Sequence, residues 1–140
     1  LGPRAMAAFL ARVGYGNGKS DDTVEFWLRG PLAISPLEQV AFLEALSRRA
    51  LAADLEAQGR LWALMEKAPL GGRPWRGKTG WSRPLGGPDV GWFVGALDAP
   101  KGRCFVALRL EGEHPSAANF LPQREALARA ALARIPGCGA

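Results

Sequence analysis

Apolar residues in the first half of the chain recur at helical spacing. Residues 3–13 are rich in alanine and other helix formers, and Gly14 follows them, so we predict a helix that ends there. The apolar group Phe26-Trp27-Leu28 comes next, inside a segment with no regular pattern. We therefore expect an N-terminal helix followed by an irregular stretch.

The segment that begins at Ser35 carries the signals of a helix start. Ser35 suits the N-cap, and Pro36 suits the first helical position. Glu38 stands where a capping box needs it, and we predict a helix from there to about Ser47. Its apolar residues recur three apart along one side: Leu37, Val40, Leu43 and Leu46. A further helix is predicted over residues 58–67, with three residues facing inward: Leu61, Leu64 and Met65.

Beyond residue 74 the pattern changes to that of strands. Three antiparallel strands are predicted, joined by turns rich in proline and glycine, over residues 74–82, 90–97 and 103–110. The second strand is apolar throughout, so we expect it to be buried. A last helix is predicted to start at Pro122, with an apolar stripe: Leu127, Ala131 and Ile135. This order of elements predicts one α+β domain, an antiparallel sheet with flanking helices.

Charge and hydropathy narrow the classes of function. The net charge is +5, but the basic residues are scattered and Arg48-Arg49 is the longest basic run. We therefore expect no nucleic-acid partner. No apolar run has the length of a membrane span. The apolar stretch over residues 5–11 is short and bracketed by Arg4 and Arg12, unlike a signal peptide.

Cysteine and histidine usage predicts neither a disulfide framework nor a metal site. The two cysteines, Cys104 and Cys138, are expected to be free thiols. The single histidine, His114, has no potential ligand at metal-binding spacing, and we place it in a loop.

The segment from Arg76 to Trp81 combines three useful residue types at the edge of the predicted sheet. Lys78 supplies a positive charge, and Thr79 supplies a hydroxyl that can hold a carboxylate. Gly80 lets a ligand lie close to the backbone. A Lys-Thr-Gly strand of this kind binds substrate in the penicillin-recognising serine enzymes.

Four further motifs accompany Lys-Thr-Gly in the order found in one family. The motifs are, along the chain, Tyr15-Gly16-Asn17, Phe26-Trp27-Leu28, Lys78-Thr79-Gly80-Trp81, Gly91-Trp92-Phe93-Val94-Gly95 and Arg124 after Leu121-Pro122. Together they resemble the C-terminal half of the class D (oxacillinase-type) serine β-lactamases, within the penicillin-binding transpeptidase-like superfamily. The resemblance covers roughly residues 5–136.

The resemblance implies roles for the residues that match. Lys78, Thr79 and Gly80 would bind the substrate carboxylate. Arg124 would contact the same carboxylate through its guanidinium group. The backbone N–H of Trp81 would form half of the oxyanion hole, which stabilises the anion of the tetrahedral intermediate.

The resemblance also implies a site role for residues in the first half of the chain. Trp27 would donate its indole N–H to the carbamylated lysine that is the general base of this family. Tyr15, Gly16 and Asn17 would line the site. No cofactor is expected, because the family's base is a CO2-carbamylated lysine, which this chain does not contain. By residue type alone, Trp27 would more often be a core aromatic, and Arg124 a solvated or salt-bridged surface arginine.

The catalytic pair of the family is missing from these 140 residues. That pair is Ser-x-x-Lys, in which the serine attacks the lactam carbonyl and the lysine accepts its proton. The residues three before the four lysines are Gly16, Leu64, Trp75 and Asp98. We therefore expect residues 1–140 to be a partial domain without the N-terminal nucleophile-bearing segment, inactive alone and needing that missing part.

Three functions follow from these observations. The first is a hydrolase of penicillin-type β-lactams that forms an acyl-serine intermediate. The second is the penicillin-binding sensor domain of a β-lactam receptor, although Trp81 favours the hydrolase because receptors carry a small residue there. The third is an inactive truncated remnant. In each case β-lactams are the expected small-molecule partners, and the family resemblance implies a periplasmic or secreted protein. Alone, the chain is expected to aggregate through unpaired strand edges.

Overall fold

A computed structural model describes residues 2–84, 86–113 and 117–139 of the chain. The described residues divide into two compact units, one up to Arg60 and the other from Leu61. His114, for which we predicted a loop without function, lies outside the described residues.

The first unit is helical. It contains α1 (Pro3–Val13), α2 (Phe26–Arg29), α3 (Pro36–Ser47) and most of α4 (Leu55–Leu64). The predicted helix end at Gly14 is confirmed, with a φ of 67° that glycine adopts without strain. The predicted capping box is also confirmed, because Ser35 Oγ accepts from the Glu38 backbone and Glu38 Oε2 accepts from the Ser35 backbone.

The inward faces of α3 and α4 differ in part from the prediction. Leu43 and Leu46 of α3 are buried, but Leu37 is 82% exposed. Gln39 takes a buried position instead, because its side-chain amide donates to the Tyr15 hydroxyl at 2.6 Å. Helix α4 begins three residues earlier than predicted, where Asp54 Oδ1 accepts from the Ala57 backbone at 2.7 Å. Of its predicted inward residues, Met65 is buried, whereas two are exposed: Leu61 and Leu64.

The second unit is a four-stranded antiparallel sheet with one helix on it. The strands are β1 (Glu66–Leu70), β2 (Arg73–Ser82), β3 (Asp89–Ala99) and β4 (Gly102–Gly112), in that spatial order, and the helix is α5 (Ala117–Ala133). The α+β class and the three predicted strands are confirmed. Strand β1 was not predicted and takes residues 66 and 67 from the end of the predicted helix.

The core of this unit lies between one face of the sheet and α5. Its buried members are Trp75, Phe93, Leu97, Ala128, Leu132 and Cys138. Trp75 stacks on Phe93 with ring centroids 5.4 Å apart, and its indole N–H donates to Glu125 of α5 at 3.0 Å. Lys67 lies 3.0 Å from the same carboxylate. Burial opposes ionisation of Glu125, but hydrogen bonds from Trp75, Lys67 and Arg129 outweigh it and lower the pKa of this carboxyl.

Helix α5 corrects two predictions. It begins five residues before Pro122, which lies inside it, and Phe120 in this first turn is buried with its ring 6.0 Å from that of Trp81. The predicted stripe of Leu127, Ala131 and Ile135 is also wrong, since all three are exposed and Ile135 lies beyond the helix end. The buried stripe is Phe120, Arg124, Ala128 and Leu132, four residues apart.

The expectation of free thiols is wrong. Cys104 of β4 and Cys138 of the C-terminal tail form a disulfide, with Cα atoms 5.9 Å apart. The return of the chain along α5 brings Cys138 back to the sheet, where Arg73 donates to its backbone carbonyl at 3.1 Å. Among the helices in the described part of the chain, none is long and apolar enough to cross a membrane.

Candidate functional site

One side of β2 has a strand partner along only part of its length. Strand β3 pairs with β2 from Trp75 to Ser82, but the pairing of β1 with β2 ends at Arg76. Within the described residues, Lys78–Ser82 therefore has no strand on the side away from β3. We call this side of Lys78–Ser82 the open edge.

The backbone N–H of Trp81 points toward the open edge. Gly77, at the end of the β1 pairing, donates its N–H to Met65 at 2.7 Å, on the side away from β3. Backbone groups alternate in direction along a strand, so Thr79 and Trp81 present their N–H and C=O groups on that same side. The arrangement leaves the Trp81 amide available to an acceptor outside the sheet.

Lys78 places its charge beside these groups. Its side chain is exposed, and Nζ donates to the carbonyl of Thr79 at 2.6 Å. By the same alternation, that carbonyl belongs to the open edge. The ammonium group therefore lies where it can attract an anion that approaches the Trp81 amide.

Packing among the described residues does not require a glycine at position 80. A Cβ atom there would touch only Trp92, at an ordinary distance of 3.5 Å. In contrast, a Cβ atom at Gly77 would run into the ring of Phe93, and one at Gly95 would lie 2.5 Å from the carbonyl of Arg76. Among the described residues, packing therefore leaves space beside Gly80, and the role of Gly80 in ligand binding stays a prediction.

Arg124 is buried against β2 and β3. It is 4% exposed, and its Nη1 donates to the carbonyl of Gly80. Its stem crosses Gly91, where a Cβ atom would lie 2.8 Å from Arg124 Cδ and 2.7 Å from the ring of Phe120. Burial lowers the pKa of the guanidinium. Among the described residues, no carboxylate forms an ion pair with it, so the alternative of a solvated or salt-bridged surface arginine does not hold.

A buried carboxylate that the sequence did not indicate lies next to Trp81. Asp89 is 0% exposed and accepts from the Trp81 indole at 2.8 Å and from Arg83 Nε at 3.0 Å. The Arg83 guanidinium also lies over the Trp81 ring, 4.8 Å from its centroid. An aspartate after glycine and proline is typical of a turn, so the sequence predicts a turn residue here and not a buried hydrogen-bond acceptor.

The remaining predicted site residues belong to the first unit. Trp27 lies in α2, is 58% exposed and contacts the ring of Phe26 edge-on at 5.2 Å. It is therefore not a core aromatic. Within the described part of the chain, its indole N–H has no hydrogen-bond acceptor.

Tyr15, Gly16 and Asn17 form a tight loop that is tied to a later segment. The Asn17 side chain donates to the Pro31 carbonyl at 2.8 Å and accepts from the Ala33 backbone at 3.2 Å. A Cβ atom at Gly16 would collide with the carbonyl of Ala33. Burial raises the pKa of the Tyr15 hydroxyl, which accepts a hydrogen bond from Gln39. The contacts of these three residues hold the loop in shape.

A cleft of about 290 Å³ lies elsewhere in the second unit, on the β1–β2 hairpin. None of the predicted site residues lines it. Its lining residues are Glu66, Lys67, Pro69, Gly72, Pro74, Trp75 and Arg76.

Comparison with known proteins identifies close relatives of the chain. Residues 1–133 match the model of the penicillin binding protein transpeptidase domain. The chain is 37% identical to β-lactamase OXA-15 of Pseudomonas aeruginosa, over 96% of this chain and 47% of that protein. It is 30% identical to the regulatory protein BlaR1 of Bacillus licheniformis, over 85% of this chain and 20% of that protein.

Solved structures agree with the sequence comparison. The class D β-lactamase FUS-1 (OXA-85) of Fusobacterium nucleatum subsp. polymorphum superposes with a TM-score of 0.82 at 33% identity. The superposition covers 94% of this chain and 54% of that one. The chain thus spans about half the length of the relatives it matches, and the predicted resemblance to class D β-lactamases is confirmed.

Proposed function

The chain belongs to the penicillin-binding protein transpeptidase domain family, and from this we propose that it is part of a class D β-lactamase. The whole protein would hydrolyse penicillin-type β-lactams through an acyl-serine intermediate. The serine oxygen would bond to the lactam carbonyl carbon while the ring C–N bond breaks and the nitrogen takes up a proton. Water would then cleave the ester and restore the serine.

The observation that carries this proposal is the buried guanidinium group of Arg124, beside Gly80 of β2. Burying a charge is costly unless an opposite charge compensates it, and Arg124 has no such partner among the described residues. A guanidinium group binds a carboxylate in a planar, two-pronged geometry. The carboxylate of a penicillin-type substrate would complete the site, with Lys78 and Thr79 as its other contacts.

The open edge would also stabilise the reaction's anion. When the serine attacks, negative charge develops on the former carbonyl oxygen, and preorganised donors lower the barrier. The Trp81 N–H, which points away from β3, would be one donor. Gly80 would leave room for the substrate to lie along the strand.

The first unit would supply the surroundings of the base. Trp27 has an exposed indole N–H, suited to the carbamylated lysine that the family uses. Tyr15, Gly16 and Asn17 would shape the wall of the site. The nucleophile and that lysine would come from residues that precede this chain, because the 140 residues contain no Ser-x-x-Lys.

Two structural features support a larger domain outside the cytoplasm. Strand β4 ends the described sheet and pairs on one side only, with β3, so further strands could extend the sheet there. The Cys104–Cys138 disulfide suits an oxidising compartment, which supports a periplasmic or secreted location. Intact mass spectrometry of the natural protein tests the first point, since a mass near 14.9 kDa would remove the upstream segment from the proposal.

The decisive experiment compares benzylpenicillin with its methyl ester in the natural protein. We expect Arg124→Ala to lower kcat/KM for the acid by about 10- to 100-fold, because a charge-assisted hydrogen bond is lost. The ester lacks the anion and should respond little. Arg129→Ala on the same helix, where the side chain is exposed, is the matched control. Equal losses with acid and ester would contradict the proposed contact.

A sensor domain is the second candidate, favoured by the similarity to BlaR1. A hydrolase and a sensor differ in the lifetime of the acyl-serine. Continuous turnover of a chromogenic β-lactam indicates the hydrolase. A single stoichiometric burst, with the lactam's mass retained on the protein for many minutes, indicates the sensor. An inactive remnant would show neither.

A further inference from the structure

The position of the Asp89 carboxylate carries a high desolvation cost. It is fully buried, and an ionised carboxylate away from water is stable only when donors surround it. Two of those donors come from the end of β2 and the residues just after it: the Trp81 indole at 2.8 Å and Arg83 Nε at 3.0 Å. Asp89 is the first residue of β3, so its carboxylate links β2 and β3 at the end of the hairpin next to the connecting loop.

The register explains why Trp81 reaches Asp89. Trp81 stands opposite Gly91, and Asp89 is two residues from Gly91 on the same face of the sheet. Trp81 and Asp89 are therefore diagonal neighbours, within reach of a long side chain. The space that Gly91 leaves is taken by Phe120 and by the stem of Arg124.

The Trp81 side chain is consequently held on several sides. The carboxylate of Asp89 holds its N–H, the guanidinium of Arg83 lies 4.8 Å from the ring centroid, and the ring of Phe120 lies 6.0 Å away. The backbone of the same residue is held by strand pairing on one side only, because its N–H points to the open edge. Contacts of the Trp81 side chain therefore supply the restraint that a second neighbouring strand would otherwise place on this backbone.

We propose that Asp89 is a positioning residue, which fixes the backbone N–H of Trp81 at the open edge through the Trp81 indole and Arg83. The catalytic consequence rests on the proposed role of that N–H in the oxyanion hole. The positioning itself does not, and it can be measured without any turnover.

The test is 15N relaxation of tryptophan-labelled natural protein. The Trp81 amide is assigned by its loss in Trp81→Phe. In the unsubstituted protein we expect a backbone order parameter of about 0.85, typical of a rigid strand. Asp89→Ala should lower it toward about 0.6, the value of flexible backbone, while the Trp75 and Trp92 amides keep theirs. Asp89→Asn should fall between, because its amide oxygen still accepts from the indole.

Glu111→Ala is the matched control. Glu111 is an exposed acid paired with Arg109 at 2.6 Å, next to the register partner of Asp89. An unchanged Trp81 amide in folded Asp89→Ala would overturn the proposal, as would an equal loss of order in Glu111→Ala. Should Asp89→Ala not fold, Asp89→Asn and Arg83→Gln decide by the same criterion, since Arg83 is largely exposed.

Kinetics then separates this inference from the proposed function. If the natural protein turns over a chromogenic β-lactam, Asp89→Asn should lower kcat by up to about 100-fold and leave KM within about twofold, as misplacement of a transition-state contact does. A fall in kcat/KM that comes from KM alone would contradict the inference. No turnover by the unsubstituted protein would count against the proposed function, and the relaxation result would still decide the positioning role.

Discussion

The two halves of β2 are built differently although they form one strand. The first half, Arg73–Arg76, pairs with β1, and from Trp75 onward it pairs with β3 as well. Trp75 is stacked on Phe93 and hydrogen-bonded to Glu125. The second half, Lys78–Ser82, pairs on one side only, and Arg124 is buried beside it without an acidic partner among the described residues. We call the first half the closed half, because its groups stabilise the fold. We call the second half the open half, because it leaves groups available to a ligand.

Replacing Trp75 in the closed half should have the largest effect on stability. Trp75→Ala removes a buried, stacked ring and leaves a cavity, so we expect the free energy of unfolding to fall by about 3–5 kcal/mol. Chemical denaturation followed by far-UV circular dichroism measures this. Trp75→Phe, which keeps a ring but loses the hydrogen bond to Glu125, should lose only about 1 kcal/mol from that bond. Equal losses for the two variants would mean that the bond to Glu125, not packing, dominates the closed half.

Removing the disulfide should have the next largest effect. The double variant Cys104→Ala with Cys138→Ala frees the tail that Arg73 of the closed half contacts, and we expect a loss of about 2–4 kcal/mol. Thermal unfolding with and without a reducing agent measures it. The reductant should destabilise the unsubstituted protein by a similar amount and leave the double variant unaffected. If the reductant lowers the stability of both proteins equally, the effect does not come from this bond.

The smallest effect on stability is expected from Gly80 in the open half, and it sharpens the comparison. Gly80→Ala should change the free energy of unfolding by less than about 1 kcal/mol, because the added methyl group meets only Trp92. The same methyl group would occupy the space in which we propose that the substrate lies, so kcat/KM should fall by roughly 100-fold.

Gly77→Ala is the counterpart at the junction of the two halves. Its methyl group would collide with the Phe93 ring, and we expect a loss of about 1–3 kcal/mol. If Gly80→Ala proves as destabilising as Gly77→Ala, the second half is packed like the first and the comparison fails.

The sequence predicts most elements of the fold because their local signals agree with their packing. Strand β1 escaped prediction since its five residues, Glu-Lys-Ala-Pro-Leu, do not alternate between apolar and polar, and it lies at the edge of the sheet. The start of α5 escaped because Pro122 resembles a first helical residue. The helical turn before Pro122 is stabilised by packing of Phe120 near Trp81.

The residues of the candidate site also differ in whether the sequence reveals them. Lys78, Gly80 and Trp81 are recognisable because their motif is contiguous. The buried stripe of α5 is not, since a charged residue, Arg124, occupies one of its positions and interrupts the apolar pattern. Asp89 depends on a diagonal contact across two strands, and the disulfide joins residues 34 positions apart. Neither leaves a local signal, because each depends on which segments the fold brings together.

The disulfide also decides what a break in the backbone would do to the second unit. Cys104 and Cys138 enclose most of β4 and all of α5 in one covalent ring. A single cut anywhere between them would yield two polypeptides that remain one molecule until they are reduced. Such a nicked protein would migrate as one band in a non-reducing gel and as two in a reducing gel, and the fragment that carries Arg124 would stay bonded to the sheet that it serves.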